Sequence, residues 1–261
     1  MRAVRVTELG GPQSLELVEV DEPAADGGIV VDVHAAGVAF PDALLTRGLY
    51  QYRPELPFTL GAELAGVVRE APPGAHVKVG DRVLGLTMIG GAMAETAVLS
   101  ADRVFGLPDN VGFEAGAGLL FNDLTVYFAL TTRARLARGE TILVHGAAGG
   151  IGTSTLRLAP ALGAGRVIAV VSTEDKKDVA RAAGATDVVL AEGFKDAVAE
   201  LTGGRGVDIV MDPVGGDRFT DSLRSLAPAG RLLVVGFTGG EIPTVKVNRL
   251  LLNNIDVVGV G

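Results

Sequence analysis

Residues 141–152 have the sequence TILVHGAAGGIG, which gives the clearest indication of the fold. Residues 141–145 form a short apolar and β-branched run, which predicts a buried strand. Glycines then recur at every third position, at Gly146, Gly149 and Gly152. A helix is predicted from about residue 150 to residue 162. A strand, a glycine-rich turn and a helix in this order form the context of a dinucleotide-binding fingerprint.

The glycine spacing suits a bound pyrophosphate. Backbone N–H groups at a helix N-terminus, together with the positive end of the helix dipole, can neutralise its charge. A Cβ atom in the turn would keep the phosphates away, so Gly149 and Gly150 permit close approach, and Gly152 lets the helix pack on the strand. The predicted cofactor-binding residues of the turn are Gly146, Ala148, Gly149, Gly150, Ile151 and Gly152. The alternative is a glycine-rich turn that packing alone requires.

The composition narrows the classes of function. The net charge of −8 and a sequence pI of about 5.0 argue against a nucleic-acid partner. The chain has no cysteine and three histidines, which excludes disulfides and thiolate catalysis and leaves no metal site predicted. No apolar run reaches membrane-spanning length and no signal-peptide core begins the chain. We therefore expect a soluble, cytoplasmic protein with no membrane partner.

The pattern of predicted elements divides the chain into two domains. Residues 1–112 contain short alternating runs separated by Gly and Pro, which predicts an antiparallel β domain of barrel type. Residues 113–261 alternate between strands and helices, which predicts a doubly wound α/β domain with a parallel sheet. Residues 113–135 are predicted to be mostly helical, in two pieces broken around Asn122 and Asp123.

The end of the second strand of this α/β domain, residues 166–171, decides the choice of cofactor. Enzymes that use NAD place an acid there, and enzymes that use NADP replace it with groups that accept a 2′-phosphate. Ser172 follows this strand and can hydrogen-bond such a phosphate, and Lys176 can pair with it. We therefore predict NADPH over NADH, although Glu174 or Asp175 could bind a ribose diol. Alternatively, Ser172 or Thr173 is the N-cap of the next helix.

Three more segments precede the fingerprint: GVAFPDALLTRGLY at 37–50, GAELAGVV at 61–68 and VGDRVLG at 79–85. Together with HGAAGGIG at 145–152 they resemble the medium-chain dehydrogenase/reductase superfamily. Within it they resemble the zinc-free quinone oxidoreductase, or zeta-crystallin-like, branch. The resemblance covers essentially all 261 residues. It implies an N-terminal chaperonin-10-like β-barrel that contacts substrate, a C-terminal Rossmann domain that binds the cofactor, and an active site in the cleft between them.

The resemblance also implies roles for individual residues. Tyr50 matches a tyrosine close to the cofactor that can donate a hydrogen bond to a substrate oxygen, and its alternative is a loop aromatic with its hydroxyl in water. Thr125 matches a position near the nicotinamide, and its alternative is a helix-interior threonine that bonds its own backbone. The loops that line the nicotinamide half in the family correspond here to Val214, Val235, Gly236, Phe237, Thr238 and Val260.

Zinc-dependent members of the superfamily carry metal ligands where this chain has Ala39 and Ala62. The predicted reaction is therefore metal-free hydride transfer from NADPH to a small-molecule acceptor, a quinone or an α,β-unsaturated carbonyl. The alternatives are an enoyl-thioester reductase of the same superfamily and a non-catalytic NADPH-binding protein. Asp42 is predicted to be a capping or loop acid, and Glu63 to hold its loop.

Relatives of this branch continue for several dozen residues after their last Rossmann strand, so the family's C-terminal tail is expected to be missing here. Relatives also dimerise by pairing their last Rossmann strands edge to edge. Residues 254–260, NIDVVGV, correspond to that strand. A homodimer through this strand is therefore expected.

Overall fold

The computed structural model describes residues 1–87 and 90–261. The chain divides into two compact units, Met1–Phe121 and Asn122–Gly261. The boundary that the sequence predicts, at residue 112, lies in the turn before the helical connection and stays a prediction. No helix of the described residues is long and apolar enough to cross a membrane.

The first unit is mainly antiparallel β structure. Its elements are β1 (Arg2–Val6), β2 (Leu15–Glu19), β3 (Ile29–Ala36), α1 (Phe40–Leu45), β4 (Phe58–Thr59), β5 (Glu63–Glu70), β6 (Arg82–Leu86), β7 (Thr96–Leu99), β8 (Val104–Gly106) and α2 (Phe113–Gly116). One sheet has the order β2-β1-β4 and the other the order β7-β3-β5-β6-β8. All of these pairs are antiparallel, as the alternating sequence pattern predicts.

The second unit alternates between strands and helices. Its elements are α3 (Leu120–Phe128, which begins in the first unit), a π-helical turn (Ala129–Arg133), β9 (Thr141–Val144), α4 (Gly150–Ala161), β10 (Arg166–Val171), α5 (Lys176–Ala182), β11 (Asp187–Leu190), α6 (Phe194–Leu201), β12 (Val207–Asp212), α7 (Phe219–Arg224), β13 (Leu226–Val234), α8 (Asn248–Asn253) and β14 (Asp256–Gly259). Pro160 lies in the last turn of α4, as expected for a residue that ends a helix.

The strands of the second unit form one parallel sheet with the order β11-β10-β9-β12-β13-β14. This is the doubly wound Rossmann order, so the predicted fold of this unit is confirmed. The chain leaves β9 in one direction along the sheet and returns at β12 to continue in the other direction. Ligands of such sheets bind where these two directions separate, beyond the carboxyl ends of the strands.

Apolar residues cover both faces of the sheet. Ile142 and Val144 of β9 pack with Leu156 of α4 in one buried cluster. Leu143, between them, packs with Phe194 of α6 and with residues of α7 in a second cluster. Successive side chains of a strand point to opposite faces, so the continuous apolar run of β9 is what a sheet covered on both sides requires.

The helical connection differs from the sequence prediction at one point. The predicted break at Asn122 and Asp123 is wrong, because both residues lie inside α3 and the break falls at residues 117–119. Gly116 precedes that turn and Gly118 lies within it, and glycine is a poor helix former. The Asp123 carboxylate accepts hydrogen bonds from Ser154 and Arg157 of α4, which offset the weak helix propensity of aspartate.

Candidate functional site

The fingerprint turn joins β9 to α4. The His145 N–H donates to the Met211 carbonyl at 3.0 Å and extends the pairing of β9 with β12 by one residue. Gly146 then takes a φ of 56°, a conformation that favours glycine. The Gly149 N–H donates back to the Gly146 carbonyl at 2.9 Å, and α4 begins at Gly150. The turn thus delivers the N-terminus of α4 to the carboxyl edge of the sheet.

Gly152 is the most tightly enclosed glycine of the turn. A Cβ atom there would lie 2.3 Å from the Gly146 carbonyl oxygen and 2.5 Å from the Ala147 Cα atom. Both are backbone atoms, which cannot move aside. Gly152 was expected to let the helix pack on the strand, but the atoms that it meets belong to the turn itself, to Gly146 and Ala147.

The end of β10 presents a hydroxyl and an ammonium group side by side. Lys176 Nζ donates to Ser172 Oγ at 2.9 Å. The alternative in which Ser172 or Thr173 caps α5 does not hold, because the N-cap is Asp175 and no side-chain hydrogen bond caps the helix. The Asp175 carboxylate accepts instead from the Thr173 side chain, which holds the pKa of Asp175 below its usual range.

The residues predicted to line the nicotinamide half of the cofactor follow the carboxyl ends of β12, β13 and β14. The Asp212 carboxylate accepts from the N–H groups of Val214 and Gly215, each at 2.9 Å. The Thr238 N–H donates to the Pro213 carbonyl at 3.1 Å, which ties the loop after β13 to the loop after β12. These strands are parallel, so one edge of the sheet collects the predicted loop residues Val214, Val235, Gly236, Phe237, Thr238 and Val260.

A buried polar cluster that sequence reasoning missed lies behind this edge. His145 Nε2 lies 2.8 Å from Ser222 Oγ, whose hydroxyl donates to the Arg218 carbonyl at 3.0 Å. Because that hydroxyl has one proton, Nε2–H of His145 is the donor to Ser222. His145 Nδ1 has no hydrogen-bond partner among the described residues. The sequence did contain one indication of this cluster, because His145 is a polar residue at the end of an otherwise apolar strand.

Burial lowers the pKa of His145 to about 4. The negative charge of Asp212 opposes this shift, and the positive charge of Arg218 adds to it. The edge of the Phe194 ring packs on the imidazole, with ring centroids 4.8 Å apart. His145 is therefore a neutral, buried group directly before the fingerprint turn.

The first unit holds the remaining predicted residues. Tyr50 is half-buried, with its ring against the apolar cluster of Val6, Leu45 and Leu60. The buried Asp42 carboxylate accepts from the Ala39 N–H at 2.8 Å, which confirms its predicted capping role. Burial raises the pKa of Asp42, and the N–H groups of Ala39 and Gly61 oppose that shift.

Glu63 and Thr125 lie on secondary-structure elements. Glu63, on β5, accepts from the Phe121 N–H at 2.9 Å, and its predicted role of holding its own loop stays a prediction. Thr125 lies half-buried in α3, and its contact with a cofactor stays a prediction. Across residues 1–87 and 90–261, no group of three or more His, Cys, Asp or Glu side chains is placed to hold a metal ion.

Two protein-family models match the chain. The model described as alcohol dehydrogenase GroES-like domain matches residues 25–109, and the model described as zinc-binding dehydrogenase matches residues 150–261. Quinone oxidoreductase-like protein 2 of Rattus norvegicus is 41% identical over 261 residues, which span 99% of this chain and 74% of the relative.

The chain is also similar to solved structures of oxidoreductases. A probable oxidoreductase from Mycobacterium abscessus has a TM-score of 0.90 at 44% identity, over 100% of this chain and 80% of that one. A quinone oxidoreductase of Escherichia coli, complexed with NADPH, has a TM-score of 0.89 at 34% identity, over 98% of this chain and 80% of that one.

The GroES-like and Rossmann domains together define a medium-chain dehydrogenase/reductase. Within that superfamily, the chain belongs to the quinone oxidoreductase branch. The resemblance that the sequence motifs indicated is confirmed, and so is the predicted fold class.

Proposed function

We propose that this chain is an NADPH-dependent oxidoreductase that transfers a hydride to a quinone or an α,β-unsaturated carbonyl without a metal. The main support for this proposal is the position of two groups in the Rossmann unit. The glycine turn at the N-terminus of α4 and the Ser172–Lys176 pair at the end of β10 lie at the carboxyl edge of one parallel sheet. That edge is where doubly wound sheets bind dinucleotides. The Escherichia coli relative, complexed with NADPH, supports the same cofactor here.

The residues of the turn fit a diphosphate. Gly149 and Gly150 present backbone without side chains at the start of α4, where N–H groups and the helix dipole favour an anion. The rest of the turn, Gly146, Ala148, Ile151 and Gly152, would complete the cradle.

The residues after β10 fit a 2′-phosphate better than a ribose diol. The Ser172 hydroxyl and the Lys176 ammonium group can both donate to phosphate oxygens. The acids nearby are already engaged, because Glu174 pairs with Lys177 at 2.9 Å and Asp175 accepts from Thr173. This arrangement favours NADPH over NADH.

The chemistry follows from what each group can supply. Bound NADPH supplies a hydride from its nicotinamide ring. The chain binds and orients the cofactor through Thr125, Val214, Val235, Gly236, Phe237, Thr238 and Val260. Tyr50 would donate a hydrogen bond, and then a proton, to the acceptor oxygen. The methyl groups of Ala39 and Ala62 cannot coordinate a metal, so the acceptor must itself delocalise the incoming charge, as quinones and enones do.

Oxidation of NADPH in the presence of a panel of quinones, enones and enoyl thioesters tests this proposal. Turnover with quinones or enones is expected, and Tyr50→Phe should lower kcat by about tenfold or more. Tyr52→Phe, at an exposed neighbouring tyrosine, is the matched control and should leave kcat unchanged. Turnover only with thioesters would favour an enoyl-thioester reductase. Binding of NADPH without turnover of any acceptor would leave a non-catalytic binding protein.

We also propose a homodimer through the edge of the Rossmann sheet. β14 pairs with β13 on one side only, so its other edge is open among the described strands. Next to it in sequence, α8 exposes Leu251 and Leu252 by 77% and 74%. An open strand edge beside exposed leucines is a favourable surface for a second copy.

A further inference from the structure

Two adjacent polar residues of α3, Asn122 and Asp123, contact α4 at different places. The Asp123 carboxylate accepts from the Ser154 hydroxyl and, at 2.8 Å, from Arg157 Nη2. Ser154 is fully buried on α4. These contacts fasten α3 to the body of α4 and fix the backbone that carries Asn122.

The Asn122 carboxamide lies against the first residue of α4. A Cβ atom at Gly150 would be 2.8 Å from Asn122 Nδ2 and 2.9 Å from Oδ1. In the part of the chain that the structure describes, no hydrogen bond uses the side-chain amide of Asn122. Both of its N–H donors are therefore available beside the backbone that forms the proposed diphosphate cradle.

We propose that Asn122 contacts the cofactor, with its Nδ2 group donating a hydrogen bond to a phosphate oxygen of the dinucleotide at Gly150. This inference rests on the proposed function and adds a side-chain donor to a cradle otherwise made of backbone N–H groups. A neutral amide suits the position, because a carboxylate of the same shape would repel the phosphates. Asn122 itself lies in the first turn of α3. Its side chain lies over the neighbouring α4 and does not compete for the backbone of its own helix.

The test compares Asn122→Ala and Asn122→Asp with the wild-type chain in NADPH titrations. Loss of a hydrogen bond to a charged acceptor should weaken binding by about tenfold in Asn122→Ala. Asn122→Asp should weaken it further, by about 100-fold, through repulsion. Asn110→Asp adds the same charge at an exposed turn and should bind NADPH like the wild type. Melting temperatures without nucleotide establish that every variant is folded.

A second probe separates contact from a general disturbance of the site. Adenosine 2′-monophosphate carries the 2′-phosphate but no diphosphate, so its affinity should be the same in the wild type and in both Asn122 variants. The proposal is overturned if Asn122→Asp binds NADPH within about twofold of the wild type, or if both probes weaken equally. If the wild type itself does not bind NADPH, the proposed function fails and this inference fails with it.

Discussion

At the scale of single residues, Lys176 and Ser172 are proposed to determine the preference for NADPH over NADH. Their hydroxyl–ammonium pair, 2.9 Å between Oγ and Nζ, offers donors but no carboxylate. Removal of the ammonium group in Lys176→Ala should weaken NADPH binding by about 10-fold or more, because a hydrogen bond between charged partners is lost. NADH lacks the 2′-phosphate, so its affinity should not change. Isothermal titration of both nucleotides measures this, with Lys78→Ala, at an exposed lysine of the first unit, as the control. Equal losses for NADH and NADPH would contradict the assignment.

His145 makes folding stability depend on pH. Its imidazole is neutral in the folded chain, because burial lowers its pKa from 6.5 to about 4. Between these values the unfolded chain binds a proton that the folded chain does not, so stability falls as the pH falls through this window. The contribution is about 3 kcal/mol in total. It is fully present above pH 6.5 and is lost progressively down to about pH 4.

Denaturant unfolding of the wild type and of His145→Asn, between pH 7 and pH 4, measures this contribution. The groups that face the ring are Asp212, Arg218, Ser222 and Phe194, and all are kept in the variant. His145→Asn should be less stable at pH 7 and should lose less stability on acidification. His34→Asn, at an exposed histidine, controls for the loss of an imidazole. An identical pH dependence in wild type and His145→Asn would refute the account of this residue.

At the scale of elements, the fingerprint turn depends on Gly152. In Gly152→Ala the new Cβ would meet backbone atoms at 2.3 Å and 2.5 Å, so α4 must move away from the turn. Overpacking of this kind should destabilise the chain by about 1–3 kcal/mol and weaken NADPH binding. Gly106→Ala, where nothing lies within 4 Å of the new atom, should have little effect on either. Chemical denaturation measures the free energy of unfolding of both variants, and nucleotide titration measures their affinity for NADPH. A Gly152→Ala chain as stable as the wild type would be inconsistent with this packing.

The elements were predictable where local chemistry determines them. The strand, the turn and the helix at residues 141–161 follow from β-branched residues, glycine spacing and a late proline. The cap of α5 was not predicted correctly because a local contact with Lys176 engages Ser172, and the helical state of Asp123 was not predicted because tertiary contacts support it. Ser172 bonds Lys176 and does not cap a helix, and Asp123 bonds two residues more than thirty positions away. The position of Asn122 against Gly150 depends on the same long-range packing.

At the scale of the whole molecule, the open edge of β14 and the leucines of α8 predict self-association. A Leu251→Asp, Leu252→Asp double variant should shift the chain from dimer to monomer, because charges there oppose burial of the surface. Leu17→Asp, at an exposed leucine of β2, should leave the dimer intact. Sedimentation velocity measures both. A wild-type chain that is monomeric at all concentrations would contradict the proposed dimer.

We propose above that the Rossmann unit binds NADPH in preference to NADH. The most direct measurement is the thermal stability of the 261-residue chain titrated with each nucleotide in turn. NADPH at about 100 times its dissociation constant should add about 2.7 kcal/mol of stability, and NADH at the same concentration should add clearly less. No stabilisation by either nucleotide, or a stronger effect of NADH, would contradict the account.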